Sequence, residues 1–153
     1  MTLASAHRQA ALLLLADGRF PAGGYAHSGG LEPTVHAGRV SNAKELERFL
    51  VGRAETAGLV AAVFAAAACS LASKEDFSAL AELEPELEAR IPSAELRSVS
   101  RMLGRQLLRA MSAIHPHPHF PTLGLTIGSA PHQPVVMGVA AAAFGLDAQD
   151  AAL

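Results

Sequence analysis

Residues 57–73 read AGLVAAVFAAAACSLAS, seventeen positions without an Asp, Glu, Lys or Arg. A helix that is apolar on every side, rather than along one stripe, belongs in a core. The stretch therefore predicts the central, buried helix of a bundle, with Val63 inside it and intolerant of charge. Seventeen residues dominated by weakly apolar alanine fall at the short limit for crossing about 30 Å of hydrocarbon, so a core helix is expected and not a membrane span. Cys69 lies in this run and is the only cysteine. It has no partner for an internal disulfide, which fits a reducing compartment, and a buried core thiol is the expected role.

Working outward, Asn42 followed by Glu45 forms an N-cap pairing, after which Leu46, Phe49, Leu50, Ala54 and Ala57 line one apolar stripe. On the other side, Ser73 and Asp76 form a second N-cap signature that opens an acidic surface helix over 75–88, which Pro85 is expected to kink or end. Ser93 then caps a long amphipathic helix reaching Ile114, with Leu96, Val99, Leu103, Leu107, Ala110 and Ile114 on its buried face. Residues 115–131 are Pro-rich and non-periodic and read as a loop. VVMGVAAAAFG, residues 135–145, reads as another buried helix that stops at Gly145. Asp147 begins a further helix with barely one turn left in DAQDAAL, so missing C-terminal helices are expected. At the other end a helix is expected over about 3–16. The N-terminal run lacks the basic region and full apolar length of a signal peptide, so a cytoplasmic location is expected.

Half of the 153 residues are hydrophobic and 17% are charged, a composition that folds, and Ala, Leu, Glu and Arg favour helix over strand. The expectation is one all-α domain over 1–153, a helical bundle around residues 57–73. With 12 basic and 14 acidic side chains the net charge is −2, which gives no global positive field to hold nucleic acid or an anionic membrane.

The segment from Asp17 to Glu32, DGRFPAGGYAHSGGLE, is the densest in information: residues 18–30 contain five glycines and one proline, which rules out regular helix. The Phe20-Pro21 step sets an extended entry, the pair Gly23-Gly24 permits close backbone approach, and Tyr25 and His27 can be presented in one geometry. Ser28 can cap the helix that follows. Pro33 requires either that this helix start near Glu32 or that the turn be kinked. Ser28 beside His27 is no hydrolase signature, because adjacent side chains seldom face each other and the glycine spacing is not G-x-S-x-G. Neither a dinucleotide fingerprint nor a P-loop occurs in the chain.

This segment resembles the N-terminal signature of the UreF urease accessory family. The resemblance continues through Gly38-Arg39-Val40 and the Gly104-Arg105-Gln106-Leu107-Leu108 stretch. It implies an all-α, non-catalytic scaffold that homodimerises and joins UreD (also called UreH) and the GTPase UreG on apo-urease. Nickel is then handled by the complex, and this chain carries no permanent cofactor. The partner-binding residues it implies are Phe20, Pro21, Gly23, Gly24, Tyr25, His27, Ser28, Leu31 and Glu32. A packing corner is the alternative role for the same loop.

Arg97, Arg101, Arg105 and Arg109 recur every four residues and share one face of the long helix. Such a stripe is either neutralised by the acidic helix or docks an acidic partner, to which arginine makes bidentate contacts. In the docking reading Arg97, Arg101, Arg105 and Gln106 carry the contact. His115, His117 and His119 alternate with prolines, a composition that fits a transition metal. In polyproline II geometry, imidazoles two apart point in different directions, which argues for a weak contact at most. His27 is a further weak ligand. A stand-alone helical metal-binding protein using this His-Pro loop is the alternative function.

Overall fold

The computed structural model describes residues 3–17 and 28–152, and every regular element among them is helical. In order these are α1 (Leu3–Ala16), α2 (Leu31–His36), α3 (Ala43–Arg53), a π-helical turn (Ala54–Gly58), α4 (Leu59–Ser73), α5 (Phe77–Arg90), α6 (Ala94–Ile114), α7 (His119–Ile127), α8 (Gln133–Ala143) and α9 (Ala148–Ala151).

Side-chain caps set several boundaries. Asn42 accepts from the Glu45 amide and Ser93 from the Leu96 amide, as their sequence positions predict. The start of α5 differs from expectation. Ser73 is the last residue of α4, and Asp76 is the cap, accepting from the Ala79 amide at 3.0 Å. Nor does Pro85 end α5, which runs through it to Arg90 with Leu80, Glu84 and Leu87 buried. Tertiary burial on both sides of the proline outweighs the one backbone bond it removes.

Residues 119–127, expected as loop, form α7 instead. Pro121 sits in its first turn, where an amide hydrogen has no intrahelical acceptor to lose. The hydroxyls of Thr122 and Thr126 bond the carbonyls of Pro118 and Thr122, and Phe120 and Leu123 enter the core. Three prolines near its start hide its apolar periodicity.

The centre of the molecule is α4 against α8, the most extensive helix pair. Ala65, Ala68, Cys69 and Ala72 of α4 are buried there with Val135, Val136, Val139 and Ala140 of α8. Small residues allow the close approach. A β-carbon on Gly138 would fall 2.2 Å from the Ala65 carbonyl oxygen. Around this pair, Leu80 and Leu87 of α5, Leu107 and Met111 of α6, and Phe120 and Leu123 of α7 complete the main core. The buried face of α6 is its middle, Leu103, Gly104, Leu107 and Met111, while Leu96 and Ile114, expected on that face, are exposed. At the far end, Arg8 of α1 forms a bidentate pair with Asp150, which also completes a reciprocal capping box with Asp147 on α9.

The central helix is not buried on every side. Its C-terminal half is core, but Leu59 is 59% and Val63 55% exposed. Helix α3 contains no buried residue, so its apolar stripe lies outside the core as well. Helix α3, the π-turn and α4 run continuously from Ala43 to Ser73, which by length and composition alone is enough to cross a membrane. Ala68, Cys69 and Ala72, fully buried against α8, identify the second half of that run as protein core.

Candidate functional site

The arginine stripe on α6 divides into two halves. In the first, Arg101 donates to Glu88 from Nε at 3.1 Å and from Nη2 at 2.6 Å. Its Nη1 donates to Glu84 at 3.1 Å and to the Ala130 carbonyl at 2.7 Å. Arg97 pairs with the other Glu88 oxygen at 3.0 Å and donates to the carbonyls of Ile91 and Pro92. Glu84 and Glu88 lie four residues apart and therefore on one face of α5.

His132 closes this cluster. Fully buried, it donates its backbone amide to Glu84 at 2.9 Å, and its ring spans Glu88 at 2.8 Å and the Ser100 hydroxyl at 3.0 Å. A carboxylate can only accept, so Nε2 carries the proton toward Glu88 and Nδ1 accepts from Ser100 in the neutral ring. The cluster ties α5, α6 and the loop before α8 together. Burial pushes the Glu84 carboxyl above the usual carboxylate range, opposed by hydrogen bonds and charge from His132 and Arg101. Glu88 is held below it by hydrogen bonds from His132 and Arg101. His132 escaped the sequence reading because an isolated histidine between prolines has no periodic signal.

The second half is different. Arg105 and Arg109 make no hydrogen bond or ion pair among the described residues, Arg109 is exposed, and neighbouring Gln106 is exposed as well. Residues 110–146, which include α7 and α8, contain no Asp, Glu, Lys or Arg. No counter-ion can reach these two arginines from that side.

Of the N-terminal segment, Phe20, Pro21, Gly23, Gly24, Tyr25 and His27 lie outside the described residues. Ser28 accepts the Leu31 amide on its carbonyl and the Glu32 amide on its hydroxyl, the latter at 3.4 Å. Helix α2 begins at Leu31 after Gly30, whose φ of 96° suits glycine, so Pro33 falls in the first turn without a kink. Leu31 is half-buried and Glu32 exposed. Arg53, at the end of α3, donates to the Gly29 carbonyl. Gly29 and Arg53 line one end of a cleft of about 620 Å³ that continues along Val60, Leu87, Leu96 and Leu103. Gly29 of the segment and α6 thus line one cleft, although their distance in sequence gave no sign of it.

Next to this cleft lies an open apolar face. Leu50, Val51, Leu59 and Val63 are each about half exposed. The π-turn between them adds one residue, about 100° of rotation, to the helical register. Val51, Leu59 and Val63 consequently fall within about 20° of one line, where an unbroken α-helix would spread them over about 120°.

The histidines of the His-Pro segment do come together, contrary to the expectation for polyproline II, because the chain turns at Pro118 into α7. The rings of His117 and His119 are 4.2 Å apart and those of His115 and His117 6.1 Å. His115 stacks on Phe144 at 4.3 Å and contacts the Ala143 carbonyl at 3.0 Å, while His117 Nδ1 accepts the His119 amide. Burial, then the neighbouring His117, lowers the His119 pKa. Among the described residues no group of three His, Cys, Asp or Glu side chains is placed to hold a metal ion.

Comparison with known proteins supports the family resemblance. Residues 40–153 match the UreF family model. The urease accessory protein UreF of Mycobacterium sp. (strain JLS) is 40% identical over 142 residues, 93% of this chain and 63% of the relative. That of Mycobacterium marinum is 40% identical over 144 residues, and that of Mycobacterium tuberculosis (strain ATCC 25618 / H37Rv) 38% over 144, each covering 94% of this chain and 64% of the relative. The chain thus spans less than two thirds of the length of these relatives. No solved structure matches. A helical chain that carries the DGRFPAGGYAHSGGLE signature and this similarity along nearly its whole length belongs to the UreF family.

Proposed function

We propose that this chain is a non-catalytic scaffold for urease maturation, working with UreD/UreH and the GTPase UreG to support nickel insertion into apo-urease in the cytoplasm. The observation that carries this reading is 38–40% identity, over more than nine tenths of the chain, to proteins named urease accessory protein UreF. Nickel is cargo in this scheme. The surfaces described above suit a scaffold: an arginine pair without internal counter-ions, a cleft beside the family signature, and a half-exposed apolar helix face. Leu50, Val51, Leu59 and Val63 are the natural contact for a second copy, since exposed apolar faces of this kind mark protein interfaces. The signature residues Phe20, Pro21, Gly23, Gly24, Tyr25, His27, Ser28, Leu31 and Glu32 are assigned to motif-specific contacts with these partners.

The test is urease activation in a host that carries the urease operon but lacks its own UreF. Supplying this chain should raise both urease activity and the nickel content of purified urease above the empty-vector level. No gain in either, with the chain present in soluble form, contradicts the proposal.

A further inference from the structure

We infer that Arg105 and Arg109, and not the whole arginine stripe, form the docking contact of α6, and that their partner is an acidic protein segment with two carboxylates about one helical turn apart. This rests on the scaffold reading above and specifies the chemistry of one of its contacts. The four arginines have the same spacing and the same helix, so what distinguishes them is their counter-ions. Arg97 and Arg101 are satisfied by Glu84, Glu88 and the carbonyls of Ile91, Pro92 and Ala130. Arg105 and Arg109 have no counter-ion among the described residues, and α7 and α8, both packed on α6, contain no charged residue at all. Two like charges one turn apart repel each other, which an acidic partner would relieve.

Geometry narrows the partner. Positions four apart on a helix are separated by about 6 Å along the axis, which a second helix matches with Asp or Glu at i and i+4. Each guanidinium can then take one carboxylate in a two-pronged contact. Exposed Gln106 lies beside the pair and can bond the partner's polar groups. Nucleic acid is the poorer match, because the net charge is −2 and a phosphate backbone needs a longer positive track.

The probes are purified UreD/UreH and UreG, titrated onto the chain at several NaCl concentrations. Wild-type binding should weaken as salt rises, and Arg105→Glu/Arg109→Glu should lower affinity by about tenfold or more and flatten the salt dependence. This variant should keep the wild-type circular dichroism spectrum; if it fails to fold, Arg105→Gln/Arg109→Gln takes its place with the same expectation. Unchanged affinity and salt dependence in a folded variant overturns the inference while leaving the scaffold reading standing. Capture of a DNA duplex through these arginines, with no effect on protein binding, overturns it too. Failure of the wild type to bind either protein removes the scaffold reading and this inference together.

Discussion

The carbonyl oxygen of Ala65 lies 2.2 Å from the position a β-carbon on Gly138 would occupy, with Ala68 Cβ and the Cys69 amide nitrogen also within 3 Å. Two of those three atoms are backbone and cannot move aside without shifting a helix. Gly138→Ala is therefore expected to destabilise by roughly 1–3 kcal/mol or more, although alanine is the better helix former. Gly124 of α7 has open space where its β-carbon would go. Gly124→Ala should be neutral or stabilising, by at most about 1 kcal/mol. Urea midpoints of the two variants, measured side by side, check this.

Charge on α4 should be tolerated on one side and refused on the other. Val63 is 55% exposed and Ala68 fully buried, five positions apart on the same helix. Val63→Asp should cost under about 1 kcal/mol, whereas Ala68→Asp should unfold the chain or cost several kcal/mol through desolvation and overpacking. Similar melting temperatures for the two variants would contradict this packing of α4.

The pairing of α5 with α6 depends on Arg101. Removing it as Arg101→Met leaves Glu84 buried without its cation. A fully buried pair broken in this way costs about 3–5 kcal/mol; because Arg101 is one third exposed, about 2 kcal/mol is expected. Adding Glu84→Gln should recover part of the loss, and chemical denaturation of the two variants supplies the measurement.

Acid should loosen both ends of the molecule. Hydrogen bonding to Arg8 holds the Asp150 carboxyl below its usual range, and hydrogen bonds from His132 and Arg101 do the same for Glu88. A folded-state pKa below the unfolded one contributes stability that is complete above the unfolded value, about 4, and is lost as pH falls through the folded value. Glu84, shifted upward by burial, acts in the opposite sense. Stability should therefore fall below about pH 4. The gap between wild type and Arg8→Ala, open at neutral pH, should close in the same range; a gap that persists at pH 2 contradicts this role for Asp150.

Much of this fold could be read where one signal was strong. Asn42 and Ser93 cap as their side-chain chemistry requires, and α6 ends at Ile114 as its periodicity predicts. The acidic helix neutralises half of the arginine stripe, one of the two roles foreseen for it. The failures share a cause. Helix α7 and the passage of α5 through Pro85 depend on contacts with distant elements, which local propensity cannot report. Composition marks residues 57–73 as apolar but cannot say whether enough partner surface exists to cover them, and around Leu59 and Val63 it does not. His132 joins α5 and α6 only once the loop before α8 is folded. Six of the signature residues, from Phe20 to His27, lie outside the described residues, so for them the family resemblance remains the guide.

The proposed role as a partner-binding scaffold of urease maturation is tested most directly by reconstitution from purified components. The chain is mixed with UreD/UreH and then UreG, and the mass of the eluting species is determined by size-exclusion chromatography with light scattering. One species containing all three proteins, with this chain present in two copies, is the expected result. Separate elution of the chain at its own mass, at concentrations where one of its longer UreF relatives forms the complex, would contradict that role.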